Sequence, residues 1–156
     1  MNVDLHMHTN CSDGMYSPEE LTAMAVNAKI QVMAISDHDT VDAYTNSHSF
    51  ASGVRVIPAI EMSSEYEGED VHILGYYIQT DQSDLQAYCA QFKKRRKLRA
   101  MEMVEKCQHL GYTIDTEAIE AVFKKGGTIG RPHIARMLVQ KGYFSTVRDV
   151  FDKLLY

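Results

Sequence analysis

His6 and His8 flank a single methionine near the start of the chain. On an extended strand, residues two apart point to the same side, so both imidazoles can reach one ion. Alone, a His-x-His pair is a weak signal. Ser12-Asp13-Gly14 follows a few residues later and by itself reads only as a turn. Asp37-His38-Asp39 comes directly after the apolar run Val32-Met33-Ala34-Ile35. Ionisable residues at the end of a buried strand need partners. They form either an ion-paired cluster or a ligand set backed by carboxylates. Glu61 closes another apolar run, Val56-Ile57-Pro58-Ala59-Ile60, and His72 lies in the segment after it. A lone histidine there is more often a core residue than a ligand. Taken together, His6, His8, Asp13, His38, Glu61 and His72 can converge on one rim of a sheet. Mixed imidazole and carboxylate donors suit Mn²⁺, Zn²⁺ or Fe²⁺ better than Ca²⁺, which prefers oxygen alone. Six donors are too many for one tetrahedral ion and fit two or three. Glu61 is the natural bridge, because a carboxylate has two oxygens to share.

The elements that must position these groups follow from the periodicity. Residues 2–7 alternate as a short strand. Ser17-Pro18-Glu19-Glu20 is a helix start with a Ser cap, Pro at the first position and Glu at the third. That helix is expected to run to about Lys29, followed by a buried strand from Ile30 to Ser36. Residues 41–52 are expected to be helical, stopped by Gly53. A strand from Val54 to Ile60 precedes two more, near 62–67 and 71–78, turning at Glu67-Gly68-Glu69-Asp70. The period then changes to four helices: Ser83 to Leu110, Asp115 to Lys125 (stopped by Gly126-Gly127), Arg131 to Lys141, and Thr146 to Leu154. The order β-α-β-α-β-β-β followed by helices implies an α/β layer with its active groups at the carboxyl ends of the strands.

Composition narrows the class. At 45% hydrophobic and 24% charged, the 156-residue chain matches a globular domain rather than a disordered one. No stretch approaches the roughly 18 apolar residues of a membrane span. The start Met1-Asn2-Val3-Asp4-Leu5-His6 lacks a secretory pattern, and Cys11, Cys89 and Cys107 show no paired spacing. Reduced thiols and a cytoplasmic location are expected. Residues 1–81 carry thirteen acids against Lys29 and Arg55, a net −11, whereas residues 82–156 carry eight acids and fourteen bases, a net +6. That asymmetry suits a cation site beside an anion site.

The run Lys93 to Arg99 holds six cations in seven residues. Most of these read as a solvated helix face with Leu98, Met101 and Val104 on the buried side. Arg99 is the first candidate for a substrate phosphate. Arg131 sits between Gly130 and Pro132 at a helix start, where free N–H groups and a two-pronged guanidinium favour an anion. His133, close behind it, could bond the same phosphate or protonate a leaving oxygen. Asp4, Asp37 and Asp39 are expected to orient imidazoles. Met24, Met33, Met101, Met103 and Met137 are expected to pack in cores.

Asp4-Leu5-His6-Met7-His8-Thr9, Ser12-Asp13-Gly14, Ile35-Ser36-Asp37-His38-Asp39-Thr40 and Pro58-Ala59-Ile60-Glu61-Met62-Ser63 together resemble the polymerase-and-histidinol-phosphatase (PHP) family. His72-Ile73-Leu74-Gly75-Tyr76 and Gly130-Arg131-Pro132-His133-Ile134-Ala135-Arg136 look like its small phosphoesterases, which act on nucleoside 3′,5′-bisphosphates and on short RNA from the 5′ end. The resemblance implies a distorted, seven-stranded, TIM-like β/α barrel with a helical insertion. Residues 1–81 would be part of the barrel and 82–156 the insertion, which caps the site and contacts phosphate. It implies His6 and His8 on a first ion, Asp13 and His38 on a second, Glu61 bridging and His72 on a third. Asp13, His38 and Glu61 would form the catalytic centre, and Arg99, Arg131 and His133 the phosphate-binding set. Two or three divalent ions are implied, Mn²⁺ first, with Zn²⁺ or Fe²⁺ as alternatives.

The implied activity is hydrolysis of phosphate esters of nucleotides or short RNA 5′ ends by a metal-activated hydroxide. Members of this kind are longer, and their second half supplies a later histidine and an Asp-x-His pair absent here. The alternative is therefore a shortened, inactive module that binds metal or phosphate and needs a complementary half. Open barrel edges would favour self-association. An amidohydrolase-type barrel also begins with His-x-His, but it gives no reason for Asp13 or for Asp37-His38-Asp39.

Overall fold

The computed structural model describes residues 1–45, 48–124 and 127–155. Its elements are β1 (Val3–Met7), α1 (Pro18–Asn27), β2 (Val32–Ile35), β3 (Arg55–Tyr66), β4 (Glu69–Tyr76), α2 (Ser83–His109), α3 (Thr116–Lys124), α4 (Arg131–Gln140) and α5 (Val147–Val150). The chain forms two compact units, one of Met1–Lys93 and one from Lys94 onward.

In the first unit a four-stranded sheet runs β1-β2-β3-β4, with the first three strands parallel and β4 antiparallel to β3. α1 starts where its signals say. Ser17 Oγ accepts the Glu20 N–H, and the Glu20 carboxylate accepts the Ser17 N–H. Ala25 on this helix packs with Met33, Ile35 and Ala43. Ala34, Ile57 and Ala59 form a second cluster. Val41, Ile60 and Cys89 form a third, joined by Leu85 and Tyr88 from the first turns of α2. The sheet curls enough for the Tyr76 hydroxyl on β4 to donate to the Leu5 carbonyl on β1, at 3.0 Å.

The structure corrects several expectations. The segment expected to be helical over 41–52 makes only a 3₁₀ turn at Asp42–Tyr44, and residues 46 and 47 lie outside the described part. Tyr44 explains the stop. Its hydroxyl sits 2.5 Å from Ile35 O and 3.0 Å from Ile57 O, and it accepts from Ile35 N and Ala59 N. That tie to the sheet is incompatible with a continuing helix. The two strands expected at 54–60 and 62–67 are one twelve-residue strand, β3. Its first part pairs with β2 and its second with β4, so no break was needed between them.

The second unit is helical, with a core of Ala100, Val104, Cys107, Ile114, Ile119, Ile134, Leu138 and Val150. On α2 the core face is Ala100, Val104 and Cys107, whereas Leu98 and Met101 are exposed, contrary to expectation. Met24 is exposed as well, while Met33 is fully buried and Met103 and Met137 pack against the helical core. The expected stop at Lys125 and Gly126 falls outside the described residues. The last helix is shorter than expected: α5 gives way to a single π turn at Phe151–Leu155. No described helix is long and apolar enough to cross a membrane.

Candidate metal centre

The three parallel strands deliver their carboxyl ends to one side of the sheet. His6 stands on β1, and His8 follows it. The register of β1 against β2 shifts between Asp4 and Met7, just before this end of the strand. Past Ile35 and Pro58 the β2–β3 ladder is interrupted by the Tyr44 hydroxyl. It then resumes as an isolated parallel bridge between His38 and Glu61, with Glu61 N donating to Asp37 O and Asp39 N donating to Glu61 O. On the other side, Glu61 pairs with Leu74 in the antiparallel ladder, and His72 stands two residues from Leu74 on β4. Glu61 and His72 are thus diagonal neighbours on one face, within reach of each other.

The result is one carboxylate among four imidazoles. Glu61 Oε2 lies 2.8 Å from His6 Nε2, 3.1 Å from His8 Nε2 and 3.6 Å from His38 Nδ1. Glu61 Oε1 lies 2.6 Å from His72 Nδ1. Asp13 stands beside them, 3.6 Å from His8 Nδ1 and 3.8 Å from His38 Nε2. Neighbouring rings are 5.1 Å (His6–His8), 4.7 Å (His8–His38) and 4.9 Å (His38–His72) apart. Three overlapping groups have ligand atoms close enough to share an ion: His6–His8–Glu61, His8–Asp13–His38 and His38–Glu61–His72. All six residues singled out in the sequence meet here.

Burial alone would raise the Glu61 carboxyl. The hydrogen bond with His6, the charge of His38, the hydrogen bond with His72 and the charge of His8 outweigh it and hold the group below the ordinary carboxylate range. The carboxylate form is therefore favoured, as a bridging ligand requires. The Nδ1 atom of His8 is buried and makes no hydrogen bond. A buried polar atom left in this way is costly unless something else satisfies it, and a cation fits the donor set.

The neighbouring aspartates act differently from expectation. Asp4 accepts from the His6 backbone N–H, not from an imidazole. Asp37 accepts from Thr9 N, Thr9 Oγ1 and Ser12 Oγ. Burial raises its carboxyl, and the bonds from Ser12 and Thr9 offset part of that rise. Asp39 has a left-handed backbone (φ 54°) and accepts from Ser63 N, Ser63 Oγ and the Tyr88 hydroxyl. Those bonds hold a conformation that is unfavourable for a non-glycine residue. Thr9, Ser12, Tyr44, Ser63 and Tyr88 hold these groups in place, a role that the sequence alone did not assign to them. The usable signal was the demand of Asp37 and Asp39 for donors, which nothing in the spacing assigns.

In the second unit, Arg99 and Arg131 line one cavity of about 490 Å³, together with Lys106, His109 and an apolar floor that includes Met103 and Leu110. Arg131 opens α4, and His133 Nδ1 accepts the Gly130 N–H. His133 is not among the residues lining that cavity.

The model of the PHP domain family matches residues 4–155. The chain is 35% identical over 159 residues to the 5′-3′ exoribonuclease Rnm of Escherichia coli K12, a match that covers 97% of this chain and 53% of that protein. It is 28% identical to the 3′,5′-nucleoside bisphosphate phosphatase of Chromobacterium violaceum, covering 99% of this chain and 55% of that one. A solved structure of an amidohydrolase from Chromobacterium violaceum, with bound sulfate and no metal, matches with a TM-score of 0.90 at 28% identity, over 100% of this chain and 56% of that one. The chain spans about half the length of the curated relatives it matches.

Proposed function

Because the chain belongs to the PHP domain family and its α/β fold matches the N-terminal part of that family's barrel, we propose that it is the ion-holding part of a phosphoesterase acting on phosphate esters of nucleotides or short RNA. The observation that carries this reading is the convergence of four imidazoles on the two oxygens of Glu61, with Asp13 beside them. His6, His8 and Glu61 would hold one ion, His8, Asp13 and His38 a second, and His38, Glu61 and His72 a third, Mn²⁺ being the first choice. Such ions supply Lewis acidity, lowering the pKa of a water towards about 7 and neutralising charge on phosphoryl oxygens. Glu61, whose two oxygens reach imidazoles on both sides, would serve more than one ion. Arg99 and Arg131 are the proposed phosphate-binding groups, supported by their shared cavity. His133 is proposed beside them. With Nδ1 accepting from Gly130 N, the neutral ring carries its proton on Nε2. The three free thiols suit a cytoplasmic location.

A second reading is favoured by the length of the match and by the edges of the sheet. The chain is then a binding module, inactive until a complementary polypeptide supplies the remaining ligands. Val3 and Leu5 on β1 and Val71 and Ile73 on β4, the two edge strands of the sheet, are exposed. The two readings separate in one experiment. Purified chain is loaded with Mn²⁺, its bound metal is counted, and phosphate release is followed from a nucleoside 3′,5′-bisphosphate and from 5′-phosphorylated RNA. Two or three ions with turnover, both lost in Glu61→Gln or His38→Ala, supports the enzyme. Ions without turnover supports the module. Neither ions nor turnover refutes both.

A further inference from the structure

The most deeply buried carboxyl among the described residues of the first unit, Asp37, is not one of the six converging groups. Asp37 is 1% exposed, and it accepts three hydrogen bonds: from Thr9 N at 2.7 Å, Thr9 Oγ1 at 2.5 Å and Ser12 Oγ at 2.5 Å. Thr9 and Ser12 are buried as well. All three bonds run from the end of β2 to the loop after β1. None goes to an imidazole.

The placement of these three residues in the chain is what matters. Thr9 follows His8, Ser12 precedes Asp13, and Asp37 precedes His38. His8, Asp13 and His38 are one of the three groups whose ligand atoms lie close enough to share an ion. Each member of that group is therefore one peptide away from a member of the buried Thr9–Ser12–Asp37 triad. The loop is tight in other ways: Ser12 N and Gly14 N both donate to Thr9 O. A Cβ on Gly14 would run into the backbone of His8 and Thr9.

We infer that Asp37 is a positioning residue for the His8–Asp13–His38 ion site, binding no ion itself and fixing the three ligand-bearing backbones through Thr9 and Ser12. The inference rests on the metal-centre reading above. The physical reason is that a buried carboxyl has two oxygens, and short, directional bonds to both can hold both ends of a loop at once. An apolar residue could fill the same space but would not set the loop's register. Groups behind a ligand set govern affinity because they preorganise it, and their removal weakens metal binding by about 10–100-fold.

The test is Mn²⁺ titration of the full chain, read by the loss of the free-ion EPR signal and by calorimetry, with no activity assay needed. Asp37→Asn, and separately the double variant Thr9→Val with Ser12→Ala, are expected to weaken one Mn²⁺ site by about 10–100-fold while at least one other site keeps its wild-type affinity. Thr9→Ser, which keeps the hydroxyl, is expected to bind as wild type. Met33→Ala, a core substitution outside the Thr9–Ser12–Asp37 triad, is expected to lower the melting temperature without that selective loss. Where Asp37→Asn fails to fold, the hydroxyl variants carry the test. Folded variants with unchanged Mn²⁺ affinities would overturn the positioning role alone. So would an equal loss in a Met33→Ala protein of matched stability. A wild-type chain that binds no Mn²⁺ removes the metal-centre reading, and this inference with it.

Discussion

Glu61 shows how neighbours can outweigh burial at a single residue: four imidazoles keep a nearly enclosed carboxyl below its ordinary range. Cys89 shows the opposite balance. Burial pushes its thiol up to about 11, and the charges of Asp42 and Asp39 add to the rise. A thiol with that value carries roughly one thiolate per thousand molecules at pH 8, whereas an unfolded cysteine near about 8.5 carries a substantial fraction. Iodoacetamide at pH 8 should therefore label Cys89 slowly in the native chain and rapidly in urea, as read by peptide mass spectrometry. Labelling should accelerate as pH approaches 11. Because the folded value lies above the unfolded one, the stability linked to this group is fully present below about pH 8.5 and is lost as pH rises through 11. Rapid native labelling at pH 8 would contradict the buried placement of the first turns of α2.

Among the elements, β3 is the organiser. It pairs with β2 through Pro58, passes the Tyr44 hydroxyl, then pairs with β4 and brings Glu61 to His72. The Tyr44 hydroxyl stands in for ladder partners exactly where Glu61 is about to be presented; removing it leaves the Ile35 and Ala59 N–H groups and two carbonyls short of a partner. Tyr44→Phe should destabilise the first unit by about 1–3 kcal/mol, measured as a lower urea midpoint with an unchanged slope. An unchanged midpoint would mean that water replaces the hydroxyl at no cost. The helix signals behave differently. The Ser17–Glu20 box and Pro18 act within one turn, so they could be read directly from the sequence.

For the molecule as a whole, charge and edges set the behaviour. The net −11 falls on the first unit and the net +6 on the second. This separation suits a chain that gathers cations at one place and phosphate at another. The first unit also exposes apolar side chains on its edge strand β4, with Val71 37% and Ile73 55% exposed. Uncovered strands with apolar side chains pair with other strands. Sedimentation velocity should accordingly show association that grows with protein concentration, and Ile73→Lys should reduce it. A strictly monomeric chain at high concentration, unaffected by the substitution, would show that these edges are self-limiting.

The sequence by itself determined the donor types, their places at the ends of apolar runs, the start of α1 and the change from strands to helices, because each of these is encoded within a few residues by period, cap or turn chemistry. His6, His8, Asp13, His38, Glu61 and His72 were legible for that reason. Only the tertiary structure decided that they meet, that residues 55–66 form one strand, that 41–52 stop at a 3₁₀ turn, and that Asp37 holds a loop rather than a ring. Those outcomes depend on strand register and on which buried polar group finds which donor. Both are set by contacts between residues far apart in the chain, which local spacing does not encode.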